Sequence, residues 1–229
     1  MKLLALDTSS VACTVALQVG TERYERHEEQ PREHTRILLP MIRSILDAAA
    51  IVAADLDAII LGNGPGSFIG MRIAASVAQG IAYAAGLKIV PVSSLAAVAA
   101  EVFAKHDATE VIVAQDAHMH EVYLGLFRRD QDGLPVPAMP ERLQAQAPIA
   151  ELEQDTTGSR VAAGFGWQHY PALLDQNRDR IDSVVGVWYP RALHLLELGA
   201  SGIADALDPQ DLAPAYLRQK VAEKSSKPS

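Results

Sequence analysis

Lys2-Leu3-Leu4-Ala5-Leu6-Asp7-Thr8-Ser9-Ser10 opens the chain with an apolar run that stops at a carboxylate and a polar turn. Unbroken hydrophobicity over Lys2 to Leu6 is the pattern of a strand covered on both faces, and Thr8-Ser9-Ser10 supplies the turn residues. A second strand is expected from Ala12 to Val19. Gly20-Thr21 turns the chain again, and the polar stretch Glu22 to Glu28 reads as a solvent-facing or edge strand. Three strands joined by tight turns make an antiparallel meander.

From Glu33 to Ala50 the residues Ile37, Leu38, Met41, Ile42, Ile45 and Leu46 recur at the spacing of a helix face, which Pro40 should bend or begin. A strand from Ala58 to Leu61 then feeds the loop Gly62-Asn63-Gly64-Pro65-Gly66. A long helix from Ser67 to Ala85 follows, closed by Gly86 where a left-handed cap is expected. Lys88 to Val92 reads as a strand and Leu95 to Ala104 as a helix. Strand, strand, strand, helix, strand, helix, strand, helix is the order of a ribonuclease H-like unit.

The second half repeats the opening pattern. Glu110 to Asp116 is an apolar strand ending in a carboxylate, and His120 to Phe127 is the strand after it, so an internal duplication places Asp7 and Asp116 in corresponding positions. Asp130-Gln131-Asp132-Gly133 signals a turn, and Pro135, Pro137, Pro140 and Pro148 mark a loop-rich stretch. A short strand near Arg160 to Ala163, helical residues Trp167 to Leu174 and a last long helix from Ala192 to Ala204 complete the reading. The expected fold is α/β and two-lobed, built from duplicated βββαβα units. Its lobes would be residues 1–107 and 108–217, with a flexible tail at 218–229.

Composition narrows the function. The 229 residues are 49% apolar and 21% charged, enough to bury a sizeable core, and the net charge is -8. An acidic chain is a poor primary binder of nucleic acid, whose affinity comes from neutralised phosphates. Cys13 is the only cysteine, so no internal disulfide forms and a reducing compartment is implied. The first apolar run ends at Asp7, too soon for a signal peptide, and no uninterrupted apolar run suggests a membrane span. A cytoplasmic protein without membrane contact is expected.

Two readings of the glycine-rich segment Gly62 to Ile73 stay open. With Ser67 as N-cap, the free N–H groups of the helix could hold an anion, assisted by Arg72. Alternatively the glycines make a tight turn and Arg72 pairs with a carboxylate. Asp7 and Asp116 could hold a hydrated divalent metal against phosphates. No glycine follows Asp7 in its turn, however, and a purely structural turn former fits the same residues. The candidate nucleotide- or anion-binding set is Asp7, Thr8, Ser9, Gly64, Gly66, Ser67, Arg72 and Asp116. No catalytic residue is assigned.

Metal chemistry has little support. His34 lacks a histidine at i+4, where Leu38 stands. Asp116, His118 and His120 would face one way only in an extended strand, and a hairpin bend would scatter them. Cys13, mid-strand, reads as a small core residue.

The helix from Ser67 to Ala85 carries Arg72 as its one charged side chain and many alanines. A helix apolar on every side has to be covered on every side. One face can lie on a sheet, and the helix before it covers part of the remainder, so an exposed patch buried by another chain is expected; the alternative is a fully internal helix. The candidate partner interface is Ile37, Leu38, Met41, Ile42, Ile45, Met71, Ala74, Ala75, Ala78 and Ala82, joined by Tyr216 and Leu217 near the end.

Four segments in order carry a resemblance: Leu4 to Ser9, Gly64 to Ile73, Asp116-Ala117 with Glu121-Val122-Tyr123, and Pro214 to Arg218. Together they resemble the TsaB (YeaZ) family. Ile69 stands where that family usually has Thr, Met71 where Leu is common, and His118-Met119-His120 where a basic or small residue is usual. The resemblance implies an actin-like (ASKHA) fold and a non-catalytic scaffold or activator of TsaD in the threonylcarbamoyl (t6A) modification of adenosine 37 in tRNA. It also implies TsaE as a partner, a homodimer when TsaD is absent, and tRNA contact only through the complex. No cofactor of its own is implied, with ATP or ADP and Mg entering at the level of the complex. Rival readings are an independent actin-fold ATPase or small-molecule kinase using Asp7, Asp116 and Ser67, and a metallopeptidase-like protein.

Overall fold

In a computed structural model of the chain, residues 1–153 and 158–218 are described. The first half contains β1 (Lys2–Asp7), β2 (Ala12–Val19), β3 (Glu22–Glu29), α1 (His34–Ala48), β4 (Ala58–Gly62), α2 (Phe68–Ala85), β5 (Lys88–Val92) and α3 (Ser94–Lys105). The second contains β6 (Glu110–Asp116), β7 (Glu121–Arg129), β8 (Pro135–Pro137), β9 (Arg142–Ala145), β10 (Arg160–Ala163), α4 (Phe165–His169), α5 (Pro171–Asn177), β11 (Ser183–Val184) and α6 (Ala192–Ala200).

The duplication is visible strand by strand. One sheet runs β3-β2-β1-β4-β5 and the other β11-β10-β6-β7-β8, with β9 also on β7. In each, the first strand pairs antiparallel with the second and parallel with a later one: β1 with β2 and β4, β6 with β7 and β10.

Alternation along β1 shows why it is apolar throughout. Leu4 and Leu6 pack against α1 and α2, whereas Leu3 and Ala5 pack against α6. The second sheet is covered likewise, by Trp167 and Leu173 on one face and by α3 through Leu95, Val98 and Val102 on the other. The two units therefore exchange helices. α3 lies within residues 1–107 yet covers the second sheet, and α6, from the second half, covers the first, so the sequence boundary at 107 is a break in the chain but not in the packing. Arg191 and Arg23 fix α6 to β3 through Glu25 and Glu197, at 2.5 and 2.7 Å.

Several local expectations shift. α1 continues through Pro40, whose ring is on the exposed side. The helical stretch after β10 splits at Tyr170, where Pro171 starts α5. The last long helix stops at Ala200, and a short 3-10 turn occupies Ile203–Asp205. Gly86 is the left-handed cap of α2 (φ 68°), as its position implies. By length and composition α2 could span a membrane, but its inner face, Ala74, Ala78 and Ala82, is fully buried on the first sheet.

Candidate functional site

The β4–α2 loop and the β1–β2 turn meet at the C-terminal end of the first sheet. Ser67 caps α2 by accepting from the Gly70 N–H (3.2 Å), and its own N–H donates to the Ser9 carbonyl (2.6 Å). The Thr8 hydroxyl donates to the Gly70 carbonyl at 2.6 Å. A Cβ built on Gly66 would fall 2.3 Å from the Ser9 oxygen, and one on Gly70 would fall 1.9 Å from the Thr8 oxygen. The chain's own turn packs directly against the two glycines. Of the candidate binding set, Thr8, Ser9, Gly66 and Ser67 are thus brought together, but as a packing joint. Gly64 (φ 83°) belongs to the same joint, exchanging hydrogen bonds with Ser94.

Asp7 is fully buried. It accepts from the Ser9 N–H (2.6 Å) and the Ser94 hydroxyl (2.5 Å), and burial raises its carboxyl above the ordinary range despite those bonds. Asp116 repeats the turn, accepting from the His118 N–H at 2.8 Å, and also takes the Tyr170 hydroxyl at 2.7 Å. Each carboxylate caps its own turn and takes one further hydroxyl, Asp7 from Ser94 and Asp116 from Tyr170.

Because the folded-state pKa of Asp7 lies above its unfolded value, the folded chain favours the protonated form. The associated stability is present below the unfolded pKa of about 3.9 and is lost as pH rises through the folded value. Asparagine can accept from Ser9 and donate to Ser94, so Asp7→Asn is expected to be at least as stable as wild type at neutral pH and to lack this pH dependence. Denaturant midpoints across the acid-to-neutral range check it. A clear loss of stability at neutral pH would show that something pairs with the carboxylate.

Arg72 pairs with no carboxylate among the described residues. Its guanidinium lies 3.5 Å over the Phe68 ring and 5.4 Å from the Tyr216 ring centroid, and its Nε donates to the Tyr216 hydroxyl at 2.9 Å. Tyr216 belongs to a C-terminal strap that begins where Leu207 bridges Ile89. The strap runs past α2 through Gln79 to the carbonyls of Pro209 and Leu212, and past the β4–α2 loop through Asn63 to Ala213 and Ala215. It then crosses to the second lobe, where Arg218 pairs with Glu121 at 2.5 Å and donates to the Ala117 carbonyl at 3.0 Å. Arg218, assigned to the flexible tail by composition, is therefore anchored; 219–229 lie outside the described residues. A small pocket between Gly66, Met71, Tyr123 and the strap holds about 20 Å³, room for roughly one water.

His118, Met119 and His120 all have left-handed backbones (φ 59°, 54° and 60°), so the alternation that would align Asp116, His118 and His120 is broken by the hairpin bend. Among the described residues, no group of three or more His, Cys, Asp or Glu side chains is placed to hold a metal. Burial, then Asp7 and Glu28, push the Cys13 thiol up to about 12, so it is inert.

The interface residues read from the sequence need correction. Ile37, Leu38, Met41, Ile42, Ile45, Met71, Ala74, Ala75, Ala78 and Ala82 all lie buried inside this chain, because the smallest residues of α2 face the sheet and let the helix lie close to it. The opposite face is the open one. Leu39, Ile69 and Tyr83 are 55%, 70% and 81% exposed, and Leu39, Ile69, Ile73 and Val77 border a groove of about 370 Å³ between α1 and α2. An exposed apolar patch exists, as the composition of α2 implies; of the interface residues named from the sequence Leu38 borders its groove, whereas Leu39, Ile69, Ile73, Val77 and Tyr83 were left out. The 69, 73, 77 spacing was the available signal. Tyr216 and Leu217 are partly exposed, at 40% and 36%.

Residues 27–159 match the family model described as TsaD, tRNA N6-adenosine threonylcarbamoyltransferase. The chain is 35% identical to the tRNA threonylcarbamoyladenosine biosynthesis protein TsaB of Escherichia coli, over 98% of this chain and 97% of that one. It is also 35% identical to the Haemophilus influenzae protein of the same name, over 98% and 96%. The solved structure of YeaZ from Pseudomonas aeruginosa superposes with a TM-score of 0.84 at 34% identity, covering 94% of this chain and 99% of that one. The actin-like two-lobed fold and these full-length similarities agree, and the chain belongs to the TsaB family.

Proposed function

We propose that this chain is a non-catalytic docking subunit in the threonylcarbamoyl modification of adenosine 37 in tRNA, and that its docking partner is TsaD. The observation that carries the reading is an open apolar face. The outer face of α1 and α2 leaves Leu39, Ile69 and Tyr83 exposed and borders the groove of about 370 Å³. Large apolar side chains grouped on one face are the mark of a protein contact.

The match of residues 27–159 to the TsaD model supports TsaD as the occupant, since two chains of one fold can pair through equivalent faces. A second copy occupies the face when TsaD is absent. TsaE, tRNA, ATP or ADP and Mg belong to the larger complex and reach this chain through it. The engagement of the Asp7 carboxylate by Ser9 and Ser94 weighs against an independent ATPase or kinase, and the broken alignment at His118 and His120 against a metallopeptidase. A cytoplasmic location fits a role in tRNA modification.

Co-purification with TsaD tests the reading. Ile69→Asp places a charge on the exposed face without touching the core, and is expected to keep the wild-type melting temperature while weakening TsaD binding by at least about thirtyfold. Wild-type affinity in a folded Ile69→Asp protein contradicts the docking face.

A further inference from the structure

The groove on the docking face carries a positive charge in an acidic chain. Exposed Arg72 on α2 is the one Arg, Lys, Asp or Glu side chain among the residues that border it, whereas exposed Arg36 and Arg43 lie elsewhere on α1, the helix that also bears Asp47. Arg36 is engaged by Glu33 at the start of α1. Arg43 and Arg72 have no carboxylate partner among the described residues. Arg72 stands out because it is held in place. It borders the apolar groove beside Ile69 and Ile73, stacked on Phe68 and tied by Nε to Tyr216, so its terminal nitrogens are not needed for either contact.

We propose that Arg72 is a partner-selecting residue: a pre-oriented fork at the rim of the groove that receives a carboxylate from the docked chain. The proposal rests on the docking reading above and names its chemistry. An arginine fixed on an aromatic ring has little rotamer freedom left to lose on binding, and its planar fork fits a carboxylate through two hydrogen bonds. Arginine beside tyrosine at the edge of an apolar contact is also the composition of binding hot spots.

The fork also bears on which chain is preferred. A second copy of this protein brings the same Arg72 to the contact, and the groove lining includes no carboxylate to answer it. A different chain with an apolar helix flanked by Asp or Glu satisfies both the groove and the fork. A carboxylate-bearing partner is therefore preferred over a second copy, which occupies the face only in its absence, and the discrimination is partly repulsive.

The test measures the affinity of the full-length chain for TsaD at about 50 mM and about 500 mM salt, alongside self-association of the chain. Arg72→Gln is expected to weaken TsaD binding roughly tenfold at low salt, to flatten its salt dependence, and to leave self-association unchanged or stronger. Arg72→Lys keeps the charge without the fork, and is expected to fall between the two with the wild-type salt dependence. Tyr216→Ala removes the clamp but not the charge, and should retain a salt dependence close to wild type.

Wild-type affinity and salt dependence in Arg72→Gln would overturn the proposal. So would an affinity loss matched by Tyr216→Ala with the salt dependence intact, because Arg72 would then only anchor the strap. Ile69→Asp in the same series separates the two levels. If it binds TsaD normally the docking reading fails, whereas if it loses binding and Arg72→Gln does not, only the arginine fork fails.

Discussion

Ala78→Arg is expected to unfold the chain, not to yield a folded protein that has lost its partner. Ala78 is fully buried on the inner face of α2, in the cluster that includes Ile59, Leu61 and Ile45. No carboxylate belongs to that cluster. A guanidinium there is an unpaired buried charge costing several kcal/mol, and its volume adds about 1–3 kcal/mol of overpacking. Against a typical net stability of about 5–15 kcal/mol, little of the native state should remain. Far-UV circular dichroism and thermal melting of the purified variant check this. A folded Ala78→Arg protein with the wild-type melting temperature would mean that the small-residue face of α2 is open to a partner.

Gly70→Ala is the second large effect, and its direction opposes helix propensity. Within a helix, alanine is ordinarily favoured over glycine by about 1 kcal/mol. Here the new Cβ would meet the Thr8 carbonyl at 1.9 Å, where the Thr8 hydroxyl already donates to the Gly70 carbonyl. Both atoms belong to backbone fixed by neighbouring hydrogen bonds, so α2 and the β1–β2 turn have to separate. A loss of about 2–4 kcal/mol is expected from the overpacking and the broken joint. Gly80 supplies the control: it lies in the same helix with open space around its Cβ position, and Gly80→Ala should stabilise by about 0.5–1 kcal/mol. Denaturant midpoints of both variants measure the contrast. Equal effects would show that the glycines of this segment are not needed for close approach.

Much of the architecture was legible because strand burial writes itself into sequence. The apolar runs Leu3 to Leu6 in β1 and Val111 to Ala114 in β6, each strand ending in an aspartate, mark the duplicated units, and the structure gives both aspartates the same bond to the N–H two residues on. The exchange of α3 and α6 was not legible. Both helices are apolar over most of their surface, and periodicity does not say which of two sheets such a helix will cover. The open face of α2 was misread for a related reason. Ala74, Ala78 and Ala82 suggested a surface prepared for another helix, but small residues serve a sheet contact equally well, and the larger Ile69, Ile73 and Tyr83 were left for the outside.

The candidate binding site was half legible. Its glycines, Ser67 and Asp7 do converge, yet only three-dimensional packing shows the Thr8-Ser9 turn seated against Gly66 and Gly70. Arg72 was noticed for its charge, with an anion or a carboxylate as its expected partner. Its actual neighbours, Phe68 and Tyr216, are separated by most of the chain's length, and one of them sits in a strap that composition alone presented as a loose end. The strap joins both lobes because Tyr216 finds a partner on α2 while Arg218 finds one on β7.

The central claim is that this chain acts through its outer helices and not through its cleft, and isothermal calorimetry tests both halves on one preparation. Titration with TsaD in the absence of nucleotide should saturate the wild-type chain and fail to saturate Ile69→Asp, and titration of the isolated chain with Mg-ATP should show no binding. Tight Mg-ATP binding by the isolated chain, with hydrolysis lost in Asp7→Ala and TsaD binding unaffected by Ile69→Asp, would contradict the account.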